Sequence, residues 1–272
     1  MTYENVIFDF YGTLVDIETD EEDLKLWKEM ADLYGVYGAV YQPKDLYQKY
    51  HELVEDETER LRLALSSSFE EKELLPEIDL KRVFVRLLRE APKCRPSSYR
   101  IHERHTEEEL LSSDWVYLMA NTFRILSRKR FSTYTNTIQV LEALKENGIR
   151  VYLLSNAQGV FTRAEIEAEE LTGYFDDIFI SSEWRLRKPS RYFVEALLKK
   201  HGLSVEKSVM VGNDFRSDMQ IAGKVGMDAI YLNTFHFSEE RLQKEKEILQ
   251  LQYGRSPVIY PDGDIGHVLE RM

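Results

Sequence analysis

Apolar residues recur in two regimes along this chain. At the start, and again beyond about residue 130, they come in short unbroken runs: Val6-Ile-Phe8, Val151-Tyr-Leu-Leu154, Ile178-Phe-Ile180, Val209-Met-Val211, Ala229-Ile-Tyr-Leu232 and Val258-Ile-Tyr260. Such runs are the pattern of strands buried on both faces of a parallel sheet. Helical segments separate them: Thr137–Glu146, closed by Asn147-Gly148; Ile166–Leu171; Tyr192–Lys200, ended by Gly202; and Ile221–Val225. A charged helix from about Ser238 to Gln250 and a terminal one from Ile265 follow. Strands alternating with helices of this length predict an α/β fold with a doubly wound parallel sheet.

Between these regions the runs vanish and helical spacing takes over. Leu24, Trp27, Ala31 and Tyr34 mark one helix ending near Gly35, and Leu46, Tyr50, Leu53, Leu61 and Leu65 a long second one opening after Pro43. Leu80, Val83, Phe84 and Leu87 mark a third, closed before Pro92. A loop with Pro92, Pro96, Ser97 and Ser98 follows. Thr106 with Glu109 reads as a capping box that opens a fourth helix through Trp115, Leu118, Met119 and Phe123. The change of pattern divides the chain into one domain made of residues 1–16 and 129–272 and an inserted helical domain, 17–128. The acidic runs Glu18–Asp23 and Glu107–Glu109 read as solvated helix starts.

A length of 272 residues suits two domains, and 43% hydrophobic with 31% charged residues is a globular composition. The net charge of −12 disfavours nucleic acid or an anionic membrane surface as partner, though not an anionic small molecule. The single cysteine, Cys94, excludes an internal disulfide and reads as an inert thiol. No apolar stretch approaches the roughly 18–20 residues that span a bilayer. Residues 1–8 are strand rather than a secretory leader, so a cytoplasmic, soluble protein is expected.

The chemistry gathers where the runs stop. Val6-Ile-Phe8 ends at Asp9, followed by Tyr11, Gly12 and Thr13; Val151–Leu154 ends at Ser155-Asn156; Lys188-Pro189 follows Trp184-Arg-Leu-Arg187; and Val209–Gly212 leads to Asp214, with Asp218 beyond. Carboxyl ends of parallel strands are where open α/β sheets hold their sites. Each residue alone has a plain alternative: Asp9 a loop start, Ser155 a helix cap, Lys188 a surface lysine, Asp214 and Asp218 turn and cap residues. His102 and His105, flanked by Arg104 and an acidic run, read as surface histidines rather than a metal pair.

Taken together, an Asp, a Ser, a Lys and an acid pair in that order resemble the four motifs of the haloacid dehalogenase-like (HAD) hydrolase superfamily, subfamily I. In that subfamily an α-helical cap follows the first motif on a Rossmann-like core. The resemblance covers the first 16 residues and roughly 130–235, and assigns the intervening helices to the cap by position. It implies Asp9 as nucleophile, forming a covalent aspartyl intermediate, with Ser155, amides near Asn156 and the Lys188 ammonium stabilising transferred charge. Gly12, Thr13, Ser155, Asn156 and Lys188 are the implied substrate contacts. The implied Mg²⁺ site comprises Asp9, the Tyr11 carbonyl and Asp214, with Asp218 holding a metal-bound water or orienting Lys188.

One position departs from the phosphatase pattern. Family phosphatases carry a second Asp two residues after the nucleophile, to protonate the leaving oxygen. Here it is Tyr11, whose ordinary pKa of about 10 makes a poor base. The 2-haloacid dehalogenase branch has a Tyr there, yet its last motif resembles Ser-Ser-Asn and needs no metal, whereas Gly212-Asn-Asp-Phe-Arg-Ser-Asp218 keeps both acids. The leading expectation is therefore a Mg²⁺-dependent phosphatase of a small phosphorylated metabolite. The alternatives are a metal-independent 2-haloacid dehalogenase and a non-catalytic phosphometabolite-binding protein.

Overall fold

The computed structural model describes residues 3–94 and 100–272. The chain starts on β1 (Asn5–Phe8), leaves it on β2 (Val15–Thr19), and enters α1 (Leu24–Val36). A short strand β3 (Ala39–Val40) leads to α2 (Pro43–Leu65) and α3 (Leu80–Arg89). Strand β4 (Lys93–Cys94), paired antiparallel with β3, precedes α4 (Glu107–Leu111) and α5 (Asp114–Ser127). The return is on β5 (Arg128–Thr133). Then come α6 (Thr137–Glu146), β6 (Arg150–Ser155), α7 (Gly159–Ala168), β7 (Asp177–Ile180), α8 (Ser181–Trp184) and α9 (Arg191–His201). The chain closes with β8 (Ser208–Gly212), α10 (Gln220–Val225), β9 (Asp228–Leu232), α11 (Glu239–Tyr253), β10 (Val258–Tyr260) and a 3₁₀ turn, Ile265–Arg271.

The expected parallel sheet is present: six strands in the order β10-β9-β8-β1-β6-β7, every pairing parallel. Its unbroken apolar runs have the anticipated cause. Val6 and Phe8 pack on one face with Val140, Leu144 and Val268, while Ile7 packs on the other with Phe193, Leu197 and Ile221. The cap helices bury a cluster of their own around Trp27, Tyr34, Phe84 and Phe123, which Val160 and Phe161 of α7 join from the sheet side.

Four local expectations change. The supposed fourth helix breaks at Ser112-Ser113, because their hydroxyls donate to the carbonyls of Glu108 and Leu110 at 2.9 and 2.7 Å and compete with continued helix. The capping box at Thr106 and Glu109 does form. Helix α7 starts at Gly159, well before Ile166, since packing of Val160 and Phe161 overrides their weak helix propensity. Residues 18 and 19 are strand: β2 pairs antiparallel with β5, spanning both places where the sequence passes between core and cap. The rest of the acidic run is not simply solvated. Asp23 meets Lys129 at 2.6 Å, while burial pushes the Glu21 carboxyl up. His102 is half-buried and His105 exposed, and Cys94 is exposed; Pro96, Ser97 and Ser98 lie outside the described residues.

The cap also meets the core away from this ribbon. Between α2 and α3, Pro76 forms an antiparallel bridge with Leu186, Glu77 N donates to Arg185 O at 3.1 Å, and Arg187 N to Leu75 O at 2.9 Å. Buried Glu73 accepts from Lys224 Nζ at 2.9 Å and from Arg191 N, at the start of α9, at 2.8 Å. No helix among the described residues is long and apolar enough to cross a membrane.

Candidate active site

Strands β6, β1 and β8 are neighbours, so their carboxyl ends bring Ser155, Asp9 and the Gly212–Asp218 turn together. Asp9 is 8% exposed, Lys188 2% and Asp218 0%. Lys188 Nζ donates to Asp9 Oδ1 and to Asp218 Oδ1, each at 2.7 Å. Burial alone would lower the Lys188 ammonium, but the charges of Asp218 and Asp9 outweigh it and hold it above its ordinary value. Burial pushes the Asp218 carboxyl up to about 7 against the opposing pull of Lys188. Asp9 Oδ2 has no protein donor among the described residues, which leaves it free to act.

The supporting residues follow from local geometry. Asn156 holds the Lys188 peptide at both ends, accepting from Lys188 N at 2.7 Å and donating to Lys188 O at 3.0 Å. The hydroxyls of Ser155 and Thr13 are buried without a protein partner. A buried hydroxyl left unpaired is costly unless something else meets it. Gly12 lies in the left-handed region at φ +77°, and a Cβ there would sit 2.1 Å from Asn213 Nδ2. A Cβ on Gly212 would come within 2.2 Å of Asp218 Oδ2, so glycine is what lets the buried acid fold back under its strand.

The two acids after β8 differ. Asp218 is saturated: Lys188 Nζ and Ser217 Oγ reach Oδ1, and the amides of Asn213 and Asp214 reach Oδ2. Asp214 is exposed and accepts from Arg216 N at 2.9 Å and Ser217 Oγ at 2.8 Å. Asp214 caps a π-helical turn, Phe215–Met219, that contains Asp218. Asp9, Asp214 and the Tyr11 carbonyl form an all-oxygen donor set, the chemistry Mg²⁺ prefers, and one or two carboxylates suffice for that ion. The residues present fit the metal. No group of three or more His, Cys, Asp or Glu side chains among the described residues would hold one by itself.

Tyr11 is engaged elsewhere. Its hydroxyl donates to Glu165 Oε2 at 2.5 Å and lies 2.8 Å from Thr162 Oγ1. Arg124 of α5 grips Glu165 with two bonds of 2.7 and 3.1 Å and stands 5.1 Å over the Tyr11 ring. Burial, then the Glu165 charge, pushes the phenol far above its ordinary value.

The haloacid dehalogenase-like hydrolase profile matches residues 3–226. The chain belongs to that family. It is a hydrolase of the HAD group, and its curated relatives are phosphatases. One is the glyceraldehyde 3-phosphate phosphatase of Methanothermobacter thermautotrophicus, 28% identical over 61% of this chain and 75% of that protein. Another is a pyrimidine 5′-nucleotidase of Streptococcus pneumoniae, 25% identical over 43% of this chain and 50% of that protein. Among solved structures, the 2-haloacid dehalogenase of Pseudomonas syringae superposes with a TM-score of 0.56 over 87% of this chain and 89% of that one, at 17% identity. At that identity the likeness is one of fold.

In this HAD hydrolase a cavity of about 310 Å³ lies between core and cap, lined by Tyr11, Glu77, Arg124, Asn156, Gln158 and neighbours. A larger cleft of about 850 Å³, lined by α2, α3 and also by Ser182, Glu183 and Arg185 of the core, shares only Glu77 with it. The smaller space is lined by Tyr11, two residues after Asp9, and by Asn156, which bonds the Lys188 backbone. The sequence reading passed over Arg124, Thr162, Glu165, Gln158 and Glu77. The one available signal was an arginine directly after Phe123, on a helix whose other buried positions, Ser127 apart, are apolar.

Proposed function

We propose that the protein is a Mg²⁺-dependent phosphoric monoester hydrolase acting on a small phosphorylated metabolite, with Asp9 as nucleophile. The observation that carries this reading is the Asp9–Lys188–Asp218 chain, with one Asp9 oxygen left free and exposed Asp214 nearby. Asp9 Oδ2 forms the bond to phosphorus as the bond to the leaving oxygen breaks. A water then releases phosphate from the aspartyl phosphate. Lys188 and the Ser155 hydroxyl meet the charge on the transferring oxygens, and Asp218 holds Lys188 in place. Asp9, Asp214 and the Tyr11 carbonyl would hold Mg²⁺, which offsets phosphoryl charge. The phosphatase names of the relatives support this substrate class.

With the Tyr11 hydroxyl bound to Glu165, no carboxylic acid stands at position 11 to protonate the leaving oxygen. Esters with good leaving groups, and acyl phosphates, should therefore turn over faster than alkyl phosphates. The same tyrosine favours a second reading, a metal-independent 2-haloacid dehalogenase. Phosphate release from p-nitrophenyl phosphate that EDTA abolishes, Mg²⁺ restores and Asp9→Asn lowers more than about a hundredfold supports the first. Chloride release from 2-chloropropionate in EDTA, without phosphatase activity, would replace it with the second.

A further inference from the structure

Two charged side chains line the 310 Å³ cavity, Arg124 and Glu77. Arg124 is already engaged: it makes two bonds to the buried Glu165 carboxylate, which also accepts from Arg128 Nη1 at 3.2 Å. Glu77 is the opposite case. Its carboxylate accepts from Gln158 Nε2 at 3.1 Å and Ser181 Oγ at 3.4 Å, both neutral donors, and no described cation lies within ion-pair distance. Burial pushes this carboxyl up, against the opposing pull of the Arg187 charge.

The carboxylate is also held still. Its backbone is fixed to Arg185, the Pro76–Leu186 bridge precedes it, and the Gln158 amide ties it to the Ile78 carbonyl and the Leu80 amide. The cap loop thus presents an acid with no ion-pair partner among the described residues to the cavity that Tyr11 and Asn156 also line.

We infer that Glu77 is a charge filter for the leaving group: the cavity takes phosphate esters bearing neutral hydroxylated or cationic groups and rejects those bearing a carboxylate. The inference rests on Asp9 as phosphoryl acceptor, since it describes the far end of the same cavity. A carboxylate entering there meets like charge at low dielectric with no free cation to receive it. A hydroxyl donates to Glu77, and an ammonium pairs with it.

The test uses matched pairs, glycerol 3-phosphate against 3-phosphoglycerate and phosphoethanolamine against phosphoglycolate. Dissociation constants are measured by calorimetry on Asp9→Asn with and without Glu77→Gln, and kcat/KM on the proteins with Asp9 intact. The neutral or cationic member of each pair should be favoured by at least about tenfold, and Glu77→Gln should shrink that gap to within about threefold by improving the carboxylates. Glutamine keeps an acceptor for Gln158, so a merely structural Glu77 would leave the gap unchanged. An unchanged gap, or an initial preference for the carboxylates, overturns the filter. If the binding preference holds while no ester, p-nitrophenyl phosphate included, releases phosphate, the filter stands and the phosphatase reading falls. If p-nitrophenyl phosphate is hydrolysed and no preference appears, the filter falls and the phosphatase reading stands.

Discussion

Asn156 holds Lys188 by both ends of one residue, its Oδ1 accepting from Lys188 N at 2.7 Å and its Nδ2 donating to Lys188 O at 3.0 Å. This contact fixes the root of the side chain whose tip lies between Asp9 and Asp218. Asn156→Ala should therefore lower kcat about 10–100-fold, the range of groups that orient a reacting residue, and leave KM less affected. Steady-state kinetics on p-nitrophenyl phosphate checks this; a kcat within twofold of wild type would show that Lys188 needs no such support.

The two acids after β8 should separate cleanly. Asp214→Asn removes a carboxylate exposed to solvent, so the Mg²⁺ concentration for half-maximal activity should rise steeply while thermal stability barely changes. Asp218→Asn leaves a buried ammonium short of a partner and should cost about 1–3 kcal/mol of stability. Mg²⁺ titration and thermal melting on both variants measure this. Equal behaviour in both assays would deny the division between an outer metal ligand and an inner support.

Position 11 should resist repair. Tyr11→Asp gives back the acid of the phosphatase pattern, but it removes the hydroxyl that binds Glu165 and the ring beneath Arg124. We expect loss of activity on alkyl and aryl phosphates alike, and a destabilisation of about 1.5–3 kcal/mol already in Tyr11→Phe, since the lost bond ends on a carboxylate. A selective gain in kcat/KM for the alkyl ester would show that the Tyr11 network is dispensable and that the missing acid alone limits the enzyme.

Near the end of the chain, His267 bonds Glu270 Oε1 at 2.7 Å and Asp262 Oδ2 at 2.8 Å. The bonds to Glu270 and then Asp262 push its imidazole up to about 9. A raised folded value means that the charged form is favoured by folding. Its contribution is full below the unfolded value of about 6.5 and is lost as pH rises through about 9. The Tm difference between wild type and His267→Gln should shrink across that window; a flat difference would deny the pairing.

The sheet was legible because its strands are buried on both faces, and Val6-Ile-Phe8 or Val209-Met-Val211 leave no polar position to confuse the period. Asp9 and Ser155 were legible because each stands where such a run stops, whereas Lys188, Asp214 and Asp218 were picked out by their order in the resemblance. The ribbon β2–β5 was not: Asp16 and Glu18 alternate with Val15 and Ile17, but they are followed by more acids, so the segment looked like a helix start. Ion pairs across the ribbon, Asp16 and Glu18 with Arg130, appear only when residues 114 and 112 positions apart are brought together. The contact of Tyr11 with Glu165 and Arg124 escaped for the same reason, as did Glu77. A single sequence displays periodicity along the chain; it does not display which lone polar residue will face another across a cavity.

A rigid plate hinged along one line can swing, but pinning one further point off that line stops the swing. The β2–β5 ribbon is the hinge line of the cap, and the segment from Glu73 to Glu77, seated on Leu186, Arg191 and Lys224, is the further pin. Any swing of the cap about the ribbon would have to break these contacts, so Glu73→Ala, which draws the pin, should change turnover on larger esters more than a substitution on the ribbon does.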